Sequence, residues 1–279
     1  MGVTMTDNKQ TQSDNTEEVI AEALSKDEFV EVVSEDGKPV VRKGVYLLPN
    51  LFTTGALFGG FLAIIYAFNG NFAHAALAIF AAQILDGFDG RVARMTKTES
   101  VFGTEYDSLS DMVSFGLAPA VVLYSWALKP LDKLGLAAAF VFVACAALRL
   151  ARFNTQASTA DKRYFTGLAS PPAATLMASG VWWGTDYPLT LPVSIFAAVV
   201  TAMVGLLMVS NIRYLSFKGL DGNRRVPFVT MLIVTLVMIA VVIQPRILFV
   251  LAFTYAVSGP IMWLWGQLRT RRNRGETSS

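Results

Sequence analysis

Residues 84–116 read ILDGFDGRVARMTKTESVFGTEYDSLSDMVSFG, and four aspartates fall inside them: Asp86, Asp89, Asp107 and Asp111. Residues three or four apart share one face of a helix. Asp86 and Asp89 therefore point one way on the helix that closes the first half of the stretch. Asp107 and Asp111 do the same on the helix that opens the second half. A short connection around residues 97–104 makes the two helices antiparallel neighbours, so four carboxylates converge at one end of the pair. Gly87, Gly90 and Gly103 are interleaved with the acids. A glycine inside a helix costs about 1 kcal/mol relative to alanine, and its use here is to let a bulky group approach the backbone. Arg94 lies two turns beyond Asp86, near the same face.

The flanking sequence decides the solvent. Of 279 residues, 53% are hydrophobic and 16% are charged, against roughly 25% charged in a soluble domain. Residues 1–45 hold ten of the 21 acids, and residues 46–268 hold only 24 charged residues. That distribution excludes a soluble globular enzyme, a disordered chain and a disulfide scaffold. With one cysteine (Cys145) and one histidine (His74), no Cys/His zinc site or Ser–His triad is in reach. A net charge of +2 with no basic stripe excludes a nucleic-acid binder.

Eight apolar segments follow the acidic start, at about 46–68, 72–97, 104–127, 133–153, 168–184, 189–211, 226–243 and 246–268. Most reach the ~20 residues that cross a hydrocarbon core, and backbone groups in lipid must be satisfied within helices. The fold class expected is therefore an all-α polytopic membrane protein of about eight spans. Residues 1–45 read as a flexible acidic cytosolic tail, 46–268 as a transmembrane catalytic domain and 269–279 as a basic cytosolic tail. With the N-terminus inside, and leaving out Lys9, Lys26 and Lys38 of the acidic tail, 17 lysines and arginines fall on the inner side and three (Lys129, Lys133, Arg246) on the outer side. The positive-inside rule then puts both termini and the aspartates in the cytoplasm, and the expected location is a bacterial cytoplasmic membrane. Gly55-x-x-x-Gly59 reads as a close helix-packing motif, and Trp182, Trp183, Trp263 and Trp265 as an aromatic belt.

An ionised aspartate at the centre of a membrane helix costs ~2.5–3.5 kcal/mol, so four without partners would cost on the order of 10 kcal/mol. A cation must neutralise them, or water must reach them. Carboxylate oxygens select Mg²⁺ or Mn²⁺, and two divalent ions balance four negative charges. An arginine beside such ions suits a phosphate or pyrophosphate. Metals, carboxylates and a basic clamp together serve phosphoryl transfer. A divalent-cation carrier is the non-enzymatic use of the same acids, but it gives no reason for Arg94 or the glycine spacing.

Asp86-x-x-Asp89-Gly90-x-x-Ala93-Arg94, then eight residues, then Gly103-x-x-x-Asp107-x-x-x-Asp111 resembles the full signature of the CDP-alcohol phosphotransferases. The resemblance implies a six-helix membrane core, here with two further helices, and a dinuclear Mg²⁺ or Mn²⁺ site held by Asp86, Asp89, Asp107 and Asp111. It makes Asp111 the general base as well. It places Gly90, Arg94 and Ser100 on the CDP-linked donor, with Asn50 and Thr53 of the Pro49–Thr53 stretch as further donor contacts. Arg149-Leu150-Ala151-Arg152-Phe153-Asn154, Phe165-x-Gly167-Leu168-x-Ser170-Pro171 and the Met208–Lys218 region resemble the membrane-integral phosphatidylserine synthases of that family. That branch implies CDP-diacylglycerol and L-serine as substrates, in-line transfer of the phosphatidyl group, CMP as second product, and a homodimer. Arg149, Arg152 and Asn154 are the expected acceptor or phosphate contacts. The open alternatives are positive-inside anchors for the two arginines, a helix end for Asn154 and a helix-start cap for Asn50. Glycerol 3-phosphate or inositol phosphate is the alternative acceptor.

Overall fold

The computed structural model describes residues 30–35, 38–43, 47–96, 101–156, 164–215 and 244–276. A hairpin of β1 (Val30–Glu35) and β2 (Lys38–Lys43) precedes the helical body, with Glu35 opposite Lys38. This hairpin lies within residues 1–45, the stretch read from sequence as a flexible acidic tail. The register pairs Val32 with Val41 and Val33 with Val40, and β-branched residues favour strands.

The body opens with α1 (Leu47–Phe68) and α2 (Phe72–Thr96), joined through Gly70 at φ 74°. Gly55 and Gly59 lie where α1 and α2 meet. A Cβ on Gly55 would stand 3.1 Å from Leu85 Cδ1, and one on Gly59 would stand 3.0 Å from the Ala82 Cβ. The small-residue motif thus lets two helices approach closely, which is how packing is gained where lipid is as apolar as the core.

The next apolar stretch is not one uniform α-helix. It runs as α3 (Val101–Asp111), a π-helical segment (Met112–Leu117), α4 (Ala118–Leu123), a second π segment (Tyr124–Leu128) and a 3₁₀ turn (Lys129–Leu131). Pro119 has no N–H to give Phe115, which removes an α-helical bond. The Ala118 N–H reaches the Val113 carbonyl instead. Asp107 and Asp111 precede this shift, so their four-residue spacing keeps its α geometry.

Then come α5 (Lys133–Gln156), β3 (Tyr164–Thr166), α6 (Ser170–Gly184), α7 (Leu191–Val209), β4 (Arg213–Leu215) and α8 (Pro245–Glu276). α1 packs on α2, α5 on α7, and α6 lies against both α2 and α8. The buried core is rich in alanine and serine, whereas Phe58, Phe61, Phe140, Ile195, Phe196 and Leu251 are exposed. Large apolar side chains outside and small ones inside are what a lipid solvent selects.

Six helical stretches among the described residues are long and apolar enough to cross a membrane. The eight spans expected are not reached. Segment 168–184 does form α6, but with 15 residues it measures about 22 Å at 1.5 Å per residue, short of a ~30 Å core. Segment 226–243 lies outside the described residues. The basic stretch expected as a tail continues α8 to Glu276, since no proline interrupts it. Trp182 and Trp183 are packing residues more than belt residues: their rings meet Phe80 and Phe249 at 6.2 and 5.4 Å.

The all-α expectation also missed a knot at one end of the bundle. β3 pairs with β4, and the Gly167 and Leu168 N–H groups donate to the carbonyls of Ile212 and Leu207 at 2.8 and 3.0 Å. Gly167 sits at φ 83°, and a Cβ there would lie 2.2 Å from the Met208 carbonyl oxygen. Only glycine fits both conditions. Gly167→Ala should destabilise the bundle by about 1–3 kcal/mol, read as a lower melting temperature of the purified protein in detergent.

Candidate active site

α2 delivers Asp86 and Asp89 near its C-terminal end, and α3 delivers Asp107 and Asp111. Asp86, Asp89 and Asp107 each bring one carboxylate oxygen within 4.8 Å of the others, and Asp111 faces Asp86. The convergence expected from the spacing is therefore what the tertiary structure contains. Asp89 is buried, and the other three are half-buried.

Neighbouring polar groups orient the acids. Thr53 Oγ1 on α1 donates to Asp89 Oδ2 at 2.8 Å, and the Gly90 N–H donates to Asp89 Oδ1. Ser110 Oγ donates to the Thr53 carbonyl at 3.1 Å, and Ser114 Oγ to the Ala56 carbonyl at 2.9 Å. These bonds fix α3 against α1, so both aspartate pairs are held by one frame. Thr54 and Tyr106 hydroxyls meet at 2.9 Å on the same seam.

The acids themselves are under-satisfied. Asp107 Oδ1 and Asp111 Oδ1 are buried with no hydrogen-bond partner among the described residues. Four carboxylates held close together, two of them with an oxygen orphaned among the described residues, favour a cation beside them. Hard oxygen donors alone, at this density, fit Mg²⁺ or Mn²⁺ and no softer metal. The residues present therefore fit the divalent ions that the motif implied.

The remaining expected residues separate into groups. Among the described residues, a Cβ at Gly87 or Gly90 would meet no atom within 4 Å. Their helix cost is not offset by protein packing, and the free space lies beside the acids. Thr53, expected as a donor contact, is 3% exposed, and its hydroxyl braces Asp89 of the acidic cluster. Asn50 is half-buried, and its carbonyl takes the Thr54 hydroxyl at 2.7 Å. The Arg94 side chain and all of Ser100 lie outside the described residues.

Three residues of α5 stand at the same end. Arg149 Nη1 donates to Ser170 Oγ at 2.7 Å, its Nε is buried without a partner among the described residues, and it faces Asp111. Arg152 is instead tied to the end of α7, donating to the Val209 carbonyl at 3.2 Å and to Asn211 Oδ1 at 2.5 Å. Asn154 Nδ2 donates to Ser108 Oγ at 3.0 Å. Arg149 thus opens on the acids, and the other two bind protein. Ser170 and the role of Thr53 were not legible as site features, although small hydroxyls one turn apart, such as Ser110 and Ser114, do signal a polar seam.

Fold and site together define a protein with helices long and apolar enough to cross a membrane, whose helix ends bring together a carboxylate cluster that could hold a divalent cation. The chain belongs to the CDP-alcohol phosphatidyltransferase family, whose model matches residues 46–265. It is 36% identical over 236 residues to a CDP-diacylglycerol–serine O-phosphatidyltransferase of Helicobacter pylori, covering 84% of this chain and 98% of that protein. It is 34% identical over 178 residues to an archaetidylserine synthase of Methanothermobacter thermautotrophicus, covering 63% and 72%. A crystal structure of Mycobacterium tuberculosis phosphatidylinositol phosphate synthase with CDP-DAG bound aligns with a TM-score of 0.45 at 18% identity, over 58% of this chain and 79% of that one.

Removing the Thr53 hydroxyl tests the frame. Thr53→Val should weaken Mn²⁺ binding by about tenfold or more, as loss of an outer hydrogen bond to a ligand does, read by calorimetry or by paramagnetic relaxation of water.

Proposed function

We propose that this protein transfers the phosphatidyl group of CDP-diacylglycerol to the hydroxyl of L-serine, forming phosphatidylserine and CMP. The observation that carries the acceptor assignment is Arg149: a cationic side chain with a buried, unpartnered Nε, facing Asp111. Two orphaned polar atoms of opposite character, Arg149 Nε and Asp111 Oδ1, suit a small zwitterion with a carboxylate at one end and a hydroxyl at the other. The relatives' names support the same choice. They differ in the lipid and share serine.

In this reading Asp86, Asp89, Asp107 and Asp111 hold two Mg²⁺ or Mn²⁺ ions. Bound divalent ions supply charge neutralisation for the pyrophosphate and acidify a nearby hydroxyl. Gly90 leaves room for the donor, and Arg94 and Ser100 are the proposed donor contacts. Asp111 takes the proton of the serine hydroxyl. The serine oxygen forms a bond to the lipid-bearing phosphorus as the bond from that phosphorus to CMP breaks. Thr53 and the Gly90 N–H keep Asp89 fixed throughout. The lipid tails stay in the bilayer, so the enzyme works where its donor already resides.

We also propose the eight-span topology, with site and termini cytoplasmic in a bacterial inner membrane, and a homodimer. The positions of β4 and of the α8 start support the span count. β4 lies in the knot at the aspartate end, whereas α8 starts at the other end, where Arg246 approaches Asp186 at 4.0 Å. The 29 positions between Leu215 and Pro245 connect opposite ends of the bundle, and they include the apolar run 226–243. Single cysteines at Thr155 and Gln244, both exposed, in a Cys145→Ala background should label from opposite sides of the membrane. Labelling from one side would remove that topology.

The reaction is tested by CMP release from labelled CDP-diacylglycerol with Mn²⁺ and each acceptor in turn. L-serine should give product, glycerol 3-phosphate and inositol phosphate should not, and exhaustive chelation should abolish turnover. Asp111→Asn should lower kcat at least about a hundredfold, the range for loss of a general base, while donor binding persists. Product from glycerol 3-phosphate alone would refute the acceptor, and full activity in Asp111→Asn would refute the base.

A further inference from the structure

Between His74 and Asp86, Gln83 is the single polar side chain on α2, and the aspartate motif does not include it. It is half-buried and reaches across to α6. Its Nε2 donates to the Pro171 carbonyl at 2.7 Å. The Thr175 hydroxyl, one turn along α6, lies 3.1 Å from Gln83 Oε1 and 3.0 Å from the same Pro171 carbonyl. Both ends of the amide are thus met by one turn of one helix. Pro171 and Pro172 leave that turn two N–H groups short, so α2 fastens it through a carbonyl.

The residues beside this link give it a consequence. Asp86 follows Gln83 by three positions and shares its face of α2, one turn nearer the helix end. Ser170 precedes Pro171, is fully buried, and accepts Arg149 Nη1 at 2.7 Å. A line of direct contacts therefore runs from the acid-bearing helix through Gln83, Pro171 and Ser170 to the guanidinium. A second line reaches the same helix α5 from α3: Asn154 donates to Ser108 at 3.0 Å, and Ser108 adjoins Asp107. Arg149 is thus carried by a helix tied to both acid-bearing helices. The bundle has little need of the Gln83 bond for stability. Hydrogen bonds between membrane helices are individually modest, and the Thr175 hydroxyl can serve the Pro171 carbonyl alone. What the bond fixes is the height of α6, and with it the place of Arg149, against the aspartates.

We infer that Gln83 is a positioning residue for the acceptor, holding Ser170, and through it Arg149, in register with the aspartate cluster. This rests on the serine-transfer reading above, in which the aspartates hold the metals and Arg149 meets serine. Gln83 acts through those groups and not on the reacting atoms.

The test is a double-mutant cycle on full-length protein in detergent with Mn²⁺: wild type, Gln83→Met, Ser170→Ala and the double variant. Methionine keeps the length of glutamine without its amide, and Thr175 still meets Pro171, so no buried group is stranded. Gln83→Met should raise the KM for L-serine about tenfold or more, since small misplacements of a binding group are costly. Its KM for CDP-diacylglycerol and its Mn²⁺ affinity by calorimetry should stay within about twofold of wild type, and its melting temperature should change little. Ser170→Ala should raise the serine KM in the same way. Because both act through Arg149, the double variant should lie within about twofold of the worse single variant. An unchanged serine KM in Gln83→Met would overturn the inference and leave serine transfer intact. So would equal weakening toward serine, donor and Mn²⁺, or effects that multiply in the double variant. Absence of CMP release from wild type with serine would overturn the underlying reading and the inference with it.

Discussion

Four carboxylates packed together inside an apolar bundle are the constraint on which the rest depends. Each would cost a few kcal/mol alone in lipid, and their mutual repulsion adds to that. The bundle tolerates them because they stand near helix ends, because a threonine and a backbone N–H bind one of them, and because the set is suited to cations that can balance it. In the proposed function, the repulsion among these acids is what would favour divalent ions beside them.

The frame around the acids is built from small residues. Gly55 and Gly59 bring α1 onto α2, and Ser110 and Ser114 bind carbonyls of α1 from α3. Close backbone approach positions both aspartate pairs with little freedom. The π segment after Asp111 follows from Pro119 and leaves the acids undisturbed. Rigidity is concentrated at one end of the bundle, where chemistry requires it, while the outer surface carries large apolar side chains suited to lipid.

A second frame forms on the acceptor side. The β3–β4 knot, Gly167 and the Tyr214–Ala256 bond tie α6, α7 and α8 together around Arg149. This divides the bundle: α2 and α3, braced by α1, carry the four acids, and α5 carries Arg149, held by Ser170 at the start of α6.

Periodicity and cost in lipid were enough to establish the membrane class, the helix positions and the four aspartates. A three- or four-residue spacing has one meaning on a helix, and four acids in an apolar chain need a reason. The family signature added Gly90 and the role of Asp111. Spacing could not say that Thr53 bonds an aspartate, that Arg152 is tied to the end of α7 while Arg149 is held by Ser170, or that residues 170–184 form a helix of only 15 residues. Those outcomes depend on which residues meet from distant parts of the chain. Tyr214 is the clearest case: it stands 42 positions before Ala256 in sequence, and only the docking of α8 onto β4 brings its hydroxyl to that carbonyl.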